Sequence, residues 1–166
     1  MIADRFAAFA LAALLAVADA RGQAPPARAD GLPLPRFVSL RSEEVNLRAG
    51  PGVRYPVEWV FRRRNLPVEV LAEFEQWRRI RDSTGTEGWV HQSMLSGRRY
   101  AVVAGELRTL RRGPEPGAAA VARLEPGVVG QLLECRDAWC RLDAGGFRGW
   151  LARAEIWGVY PGEAVK

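Results

Sequence analysis

LRAGPG, residues 47–52, returns as LRRGPE, residues 110–115. Two further matches follow in the same order. EQWRRI (75–80) returns as DAWCRL (137–142), and EGWV (87–90) returns as RGWL (148–151). The offsets of 63, 62 and 61 residues drift by one at a time. Such a set is the signature of two tandem copies of one unit that differ by single-residue loop changes. Between the motifs the chain holds short apolar runs broken by glycine and proline, with no helical period beyond a turn or two. An all-β chain is therefore predicted. Each copy has about five strands in roughly 55–60 residues, a size at which one small core is marginal, so a staple or mutual packing is expected.

The register between the copies predicts individual roles. Anchored on the tryptophans, Asn65 falls opposite Gly127. Asparagine and glycine are the residues that most easily adopt positive φ, so both copies are expected to turn there alike. The aligned pairs Val70 with Leu132, Ile80 with Leu142, Val90 with Leu151 and Leu95 with Ile156 are the expected core positions. Gly50, Pro51, Gly113 and Pro114 read as turn formers after the first motif strand.

LRAGPG, then W-x-x-I, then GWVHQSMLSGRR (88–99), resembles the bacterial SH3-like domain family. The second half, with ECRDAWCRL (134–142), GWL and IWGVYPGE (156–163), resembles the same family as found in exported proteins of Gram-negative bacteria. The likeness covers roughly residues 37–160. It implies two tandem small, strongly bent SH3-like β-barrels, each with a long first loop. It also implies a role in binding or targeting rather than catalysis, since some members bind peptidoglycan peptides and others bind proteins. The expected division is residues 37–103 for the first domain and 104–162 for the second, with RRYAVV (98–103) as the last strand of the first barrel.

The N-terminus bears on the compartment. FAAFALAALLAVA (6–18) is an apolar run of signal-peptide length, too short for the roughly 20 residues a spanning helix needs. Residues 1–24 read as a signal peptide cleaved after Ala20 or Ala24, and residues 25–36 as a proline-rich spacer. No membrane span is expected after cleavage, and the protein is expected to be periplasmic or secreted. The formal net charge is +5 and Lys166 is the sole lysine. Removing residues 1–24 takes away two acids and two arginines and leaves the charge unchanged. A weak attraction to anionic surfaces and a plain soluble basic surface both fit that balance. The run Arg62, Arg63, Arg64 reads as a solvated turn or as a contact for carboxylates or phosphates.

Cys135 and Cys140 are the chain's two cysteines. They enclose four residues, as a hairpin closure does, and such flanking positions face each other at a distance that suits a disulfide. Export favours that reading. A metal site needs about four ligands, and the single histidine, His91, lies in the other copy, so no metal and no cofactor is expected. A redox pair is normally C-x-x-C, and a thiol hydrolase needs a histidine near its cysteine. In the first copy Glu73 aligns with Cys135 and Arg78 with Cys140, so an opposite-charge pair stands where the second has its staple. As a cross-strand ion pair it would contribute only about 0.2–1 kcal/mol, which makes the second copy the expected stiffer one.

Alternation selects candidate binding residues. In WRRIR (77–81), Arg78 and Ile80 share one face and Trp77, Arg79 and Arg81 the other. Trp139 stands likewise with Arg141 and Asp143. A large aromatic among charged residues fits either recognition or the covering of a barrel end. By resemblance to the peptide-binding SH3 domains of eukaryotes, Trp77 matches the groove tryptophan, while His91 and Met94 stand where that family carries proline and tyrosine. Those departures argue against a proline-rich ligand. Tyr55 and Trp59, in the long first loop, are candidates for the other wall or for packing beneath it. Trp89 and Trp150 are expected to serve the fold, and His91 either titrates near neutral pH or makes one hydrogen bond at a strand end.

The candidate groove is thus Tyr55, Trp59, Trp77, His91, Met94 and Trp139, with no catalytic residues. The expected function is a non-enzymatic envelope binding or targeting module for cell-wall peptide (peptidoglycan) or an envelope protein. The alternative is an accessory or regulatory subunit of a cell-wall enzyme. A basic β-barrel with aromatics is physically suited to nucleic acid, but the export signal argues against it.

Overall fold

The computed structural model describes residues 31–166. The expected signal peptide and the first part of the spacer lie outside the described residues. The described chain is all-β, with fourteen strands in two antiparallel seven-stranded sheets. The first sheet comprises β1 (Arg36–Leu40), β2 (Val45–Arg48), β3 (Val57–Phe61), β4 (Pro67–Phe74), β5 (Trp77–Arg81), β6 (Glu87–His91) and β7 (Leu95–Ser96), in the spatial order β3-β2-β6-β5-β4-β1-β7. The second repeats that order with β8 (Tyr100–Val103), β9 (Arg108–Arg111), β10 (Ala120–Leu124), β11 (Val129–Arg136), β12 (Trp139–Ala144), β13 (Phe147–Ala152) and β14 (Ile156–Trp157). Short 3-10 turns, Gln92–Met94 and Arg153–Glu155, precede β7 and β14.

One strand sits elsewhere than expected. Tyr100–Val103 does not close the first barrel: it pairs with β11 and β14 and so opens the second sheet. The equivalent opening strand of the first copy is β1, which pairs with β4 and β7 in the same manner. RFVSL and RYAVV stand 63 residues apart, the offset of the LRxGP motif, but share only their arginine and the burial of their last two residues. With this strand and the two-residue β7 and β14, each copy holds seven strands where the motifs alone suggest five.

The aligned apolar pairs are the core. Val70, Ile80, Val90 and Leu95 are buried in one cluster, and Leu132, Leu142, Leu151 and Ile156 in the other. Asn65 and Gly127 have φ of 64° and 84°, and their N–H groups donate to the carbonyls of Leu40 and Val103. The two central hairpins reverse at Glu75 and Asp137, both with positive φ. The second is tighter than the four-residue closure expected, because Arg136 and Trp139 still pair and only two residues turn. The arginine of LRxGP also has a repeated task. Arg48 Nη1 donates to the Tyr55 carbonyl at 2.8 Å, and Arg111 Nη1 to the Ala118 carbonyl at 3.1 Å, so each pins its own first loop.

The barrels pack on each other. Phe37 on β1 is buried against Trp157 and Tyr160, ring centroids 4.9 and 4.6 Å away, with the Arg99 guanidinium on it as well. Tyr160 Oη donates to Glu69 Oε1 at 2.7 Å, and Arg81 donates to Glu69 Oε2 at 2.6 Å. Burial, and then the Glu69 carboxylate, pushes the Tyr160 phenol well above its ordinary range, so it stays a donor. Arg63 leaves its own turn to bond the Gly127 carbonyl at 2.7 Å, a contact between the copies that neither sequence reading of the arginine run contains. The C-terminal segment also runs back over the second barrel, where buried Val165 accepts from the Cys135 N–H at 3.0 Å. Burial works to raise the Glu163 pKa, but Arg99 and the Tyr160 N–H hold the carboxylate below its usual range.

Candidate functional site

The cysteines form a disulfide, Cys135 to Cys140, across a facing pair whose Cα atoms are 4.1 Å apart. Cys140 has no exposed surface. Glu73 and Arg78 hold the same register position in the first barrel. They are not the exposed pair assumed from sequence. The Glu73 carboxylate is fully enclosed, with Arg36 Nη2 at 2.6 Å and Arg78 Nε at 3.2 Å from the same oxygen. The cause is geometric: Arg78 lies on the Ile80 face, so its guanidinium enters the core side and needs a buried acid. The surface ion-pair magnitude does not apply to such a pair.

Arg78 also organises the hairpin tip. Its Nη1 donates to the Glu75 carbonyl at 2.8 Å, and its Nη2 to Gln92 Oε1 at 2.7 Å. Gln92 donates in turn to Gln76. The buried ion pair is thereby joined to the turn that presents Trp77 and to the turn that follows His91.

Trp77 is half-buried at the start of β5 and pairs across the sheet with His91 at the end of β6. Their rings meet edge to face, centroids 5.5 Å apart and planes at 86°. His91 Nδ1 caps the following turn: it accepts the Ser93 N–H at 3.3 Å and lies 2.7 Å from Ser93 Oγ. The neutral ring thus carries its proton on Nε2. On one side of this pair an open cavity of about 580 Å³ is walled by first-loop residues 51–54 and tip residues 74–76. On the other a cavity of about 220 Å³ adds Glu44, Asn46, Arg48 and Met94. Val53 lines both, and Val53 and Phe74 are exposed at the mouth.

Of the sequence candidates, Trp77, His91 and Met94 therefore share one cleft. Tyr55 lies beneath the wall rather than in it: a Cβ on Gly50 would sit 2.6 Å from its ring, so only glycine lets the loop fold over it. Arg54 covers the ring at 5.1 Å. Trp59 is 55% exposed on β3, an outer strand of the sheet, and does not line the cleft. Trp139 occupies the equivalent place in the second barrel, facing Ala152. Trp150 is buried beneath Arg136, 5.5 Å from its ring, and Trp89 is half-buried. The sequence reading missed Glu44, Asn46, Val53 and Phe74. Asn46 sits on β2, the strand of the LRxGP motif, with Glu44 just before it and Val53 in the loop after it, so the motif marked their neighbourhood, whereas Phe74 ends β4 at the hairpin tip.

Among the described residues no group of three or more histidine, cysteine, aspartate or glutamate side chains is placed to hold a metal. No helix among them is long and apolar enough to cross a membrane.

The bacterial SH3 domain family matches residues 41–97 and again residues 104–158, and the chain belongs to that family. Bacterial SH3 domains are binding modules, and a tandem pair of them with a buried disulfide fits a place outside the cytoplasm. No curated protein matches the chain. The solved structure of NlpC2 from Trichomonas vaginalis is similar over 76% of this chain and 49% of that one, with 11% identity and a TM-score of 0.35. NlpC1 from the same organism is similar over 78% and 48%, with 12% identity and a TM-score of 0.35. The chain spans about half the length of these structures, and neither likeness bears on the family assignment.

Proposed function

We propose that the protein is a non-enzymatic, periplasmic or secreted binding module that takes a cell-wall peptide in the cleft around Trp77. The observation that carries this is that Trp77, His91 and Val53 line two adjoining open cavities, with Met94 in the smaller and Phe74 in the larger. The indole and thioether offer an apolar floor. The walls carry both signs, Glu44 and Glu75 against Arg48 and Arg54, which suits a short peptide bearing both amino and carboxylate groups, as peptidoglycan stem peptides do. The short contact of Ser93 Oγ with His91 Nδ1 is a turn cap, because the same nitrogen accepts the Ser93 N–H. An acyl-transfer dyad would need that base directed at substrate and oriented by a third group.

A protein partner is the second reading, in which the chain is an accessory or regulatory subunit of a cell-wall enzyme. Exposed Val57 and Trp59 on the outer strand β3 favour it, since a sheet edge with apolar side chains is a docking feature. Retention on purified peptidoglycan sacculi separates the two. The proposal expects wild type to be retained and Trp77→Ala to be lost. Wild type that washes through leaves the protein-partner reading, and hydrolysis of the sacculi contradicts the non-enzymatic one.

A further inference from the structure

We propose that the molecule is monovalent: recognition is confined to the first barrel, and the second barrel with its C-terminal segment serves as a brace. This rests on the cell-wall reading above and decides which copy carries it.

The two copies keep the indole and change the residues that face it from β6 and from the turn that follows. Trp77 faces an imidazole that stands edge-on to it, whereas Trp139 faces the methyl of Ala152. The position of Met94 becomes Glu155, and its carboxylate is already engaged. It accepts the Ala152 N–H at 3.0 Å and lies 3.6 Å from Arg108 Nη1. A floor of soft apolar atoms is thus replaced by a committed ion pair.

The loop wall changes too. In the first copy residues 50–55 fold over the Tyr55 ring, which fills the space beneath Gly50. Ala118 takes the place of Tyr55 in the second copy, and a Cβ on Gly113 would meet no ring, only the Ala118 methyl at 3.6 Å and Glu115 Oε1 at 3.9 Å. Without that support the second loop cannot present the same wall.

Next to its tryptophan the second barrel also holds its own chain. Arg153, the counterpart of Gln92, donates to the Asp137 carbonyl at 2.9 Å and to the Tyr160 carbonyl at 2.8 Å, which draws the C-terminal segment onto the hairpin tip. The cavity beside Ala152, which matches the first barrel's small cavity at Gln92, Ser93 and Leu95 rather than the Trp77 cleft, is lined partly by Val159 and Pro161 of that segment. Tyr160 in turn reaches Glu69 of the first barrel. The turn after β13 is thus committed to a segment that holds the two barrels together, while the turn after β6 leaves the cleft beside it open.

The test compares three variants with wild type for retention on purified sacculi, each first shown by circular dichroism to melt cooperatively. Monovalency predicts that Trp77→Ala lowers retention at least tenfold. It predicts that Trp139→Ala leaves retention within twofold of wild type. The double variant His91→Ala/Met94→Glu, which gives the first groove the residues of the second, should fall with Trp77→Ala although its indole is intact. Retained wild type with Trp139→Ala falling as far as Trp77→Ala overturns monovalency and leaves the cell-wall reading standing. So does a double variant that binds as wild type does. Wild type that is not retained overturns both.

Discussion

The first pair of the central hairpin is Cys135 with Cys140 in one barrel and Glu73 with Arg78 in the other. Both pairs of side chains are buried: alternation along β5 and β12 sends Arg78 and Cys140 toward the core, and a register shift in β4 and in β11 brings Glu73 and Cys135 to the same face. The staple is self-contained and asks nothing of its surroundings. The ion pair needs its remaining hydrogen-bonding capacity met, and it finds Arg36, Gln92 and the carbonyl of Glu75. Those partners extend to the tip and turn that shape the Trp77 cleft. The same structural need is met covalently in the barrel that braces and by a polar network in the barrel with the open groove.

The sharpest way to break this comparison is to remove the acid. Glu73→Ala takes from Arg36 and Arg78 the buried acid they share, and loss of one partner of a buried pair costs about 3–5 kcal/mol. A chemical denaturation midpoint that barely moves would show that the pair is not buried as described. The disulfide comes next. For so short a loop its removal in Cys135→Ser/Cys140→Ser should cost about 2 kcal/mol, read in the same assay. Equal losses from the two changes would mean that the two ties are interchangeable.

A smaller effect probes the contact between barrels. Tyr160→Phe deletes a hydrogen bond to a charged acceptor that retains Arg81, and about 1.5 kcal/mol should be lost. If the barrels unfold together in wild type, this variant should begin to separate the two transitions in calorimetry. The smallest effect is a pH dependence. Glu163 has a depressed folded pKa, so its contribution is present above the unfolded value of about 4.3 and is lost as pH falls through the lower folded one. Wild type should lose stability over that acidic interval, by under about 1 kcal/mol, and Glu163→Gln should not show that loss.

Much of this was legible in the sequence. The register of two pairs of tryptophans placed Asn65 against Gly127 and aligned four core pairs, and alternation put Trp77 on the face opposite Ile80. The opening strand of each copy was not, because RFVSL and RYAVV keep only one residue in common while preserving a buried strand. Tyr55 and Trp59 could not be separated from Trp77 by composition. Their difference lies in loop geometry, where Gly50 admits a ring beneath it, and in the outer position of β3. The long reach of Arg63 and Tyr160 between copies is a property of how two barrels pack, which no local pattern encodes.

The six tryptophans offer the most direct test, because each indole N–H gives its own signal in a nitrogen-proton correlation spectrum. Titration with a soluble peptidoglycan stem peptide should move the Trp77 signal in a saturable way and leave Trp139 in place. Movement of Trp139 to the same extent, or of neither, would contradict a binding groove confined to the first barrel.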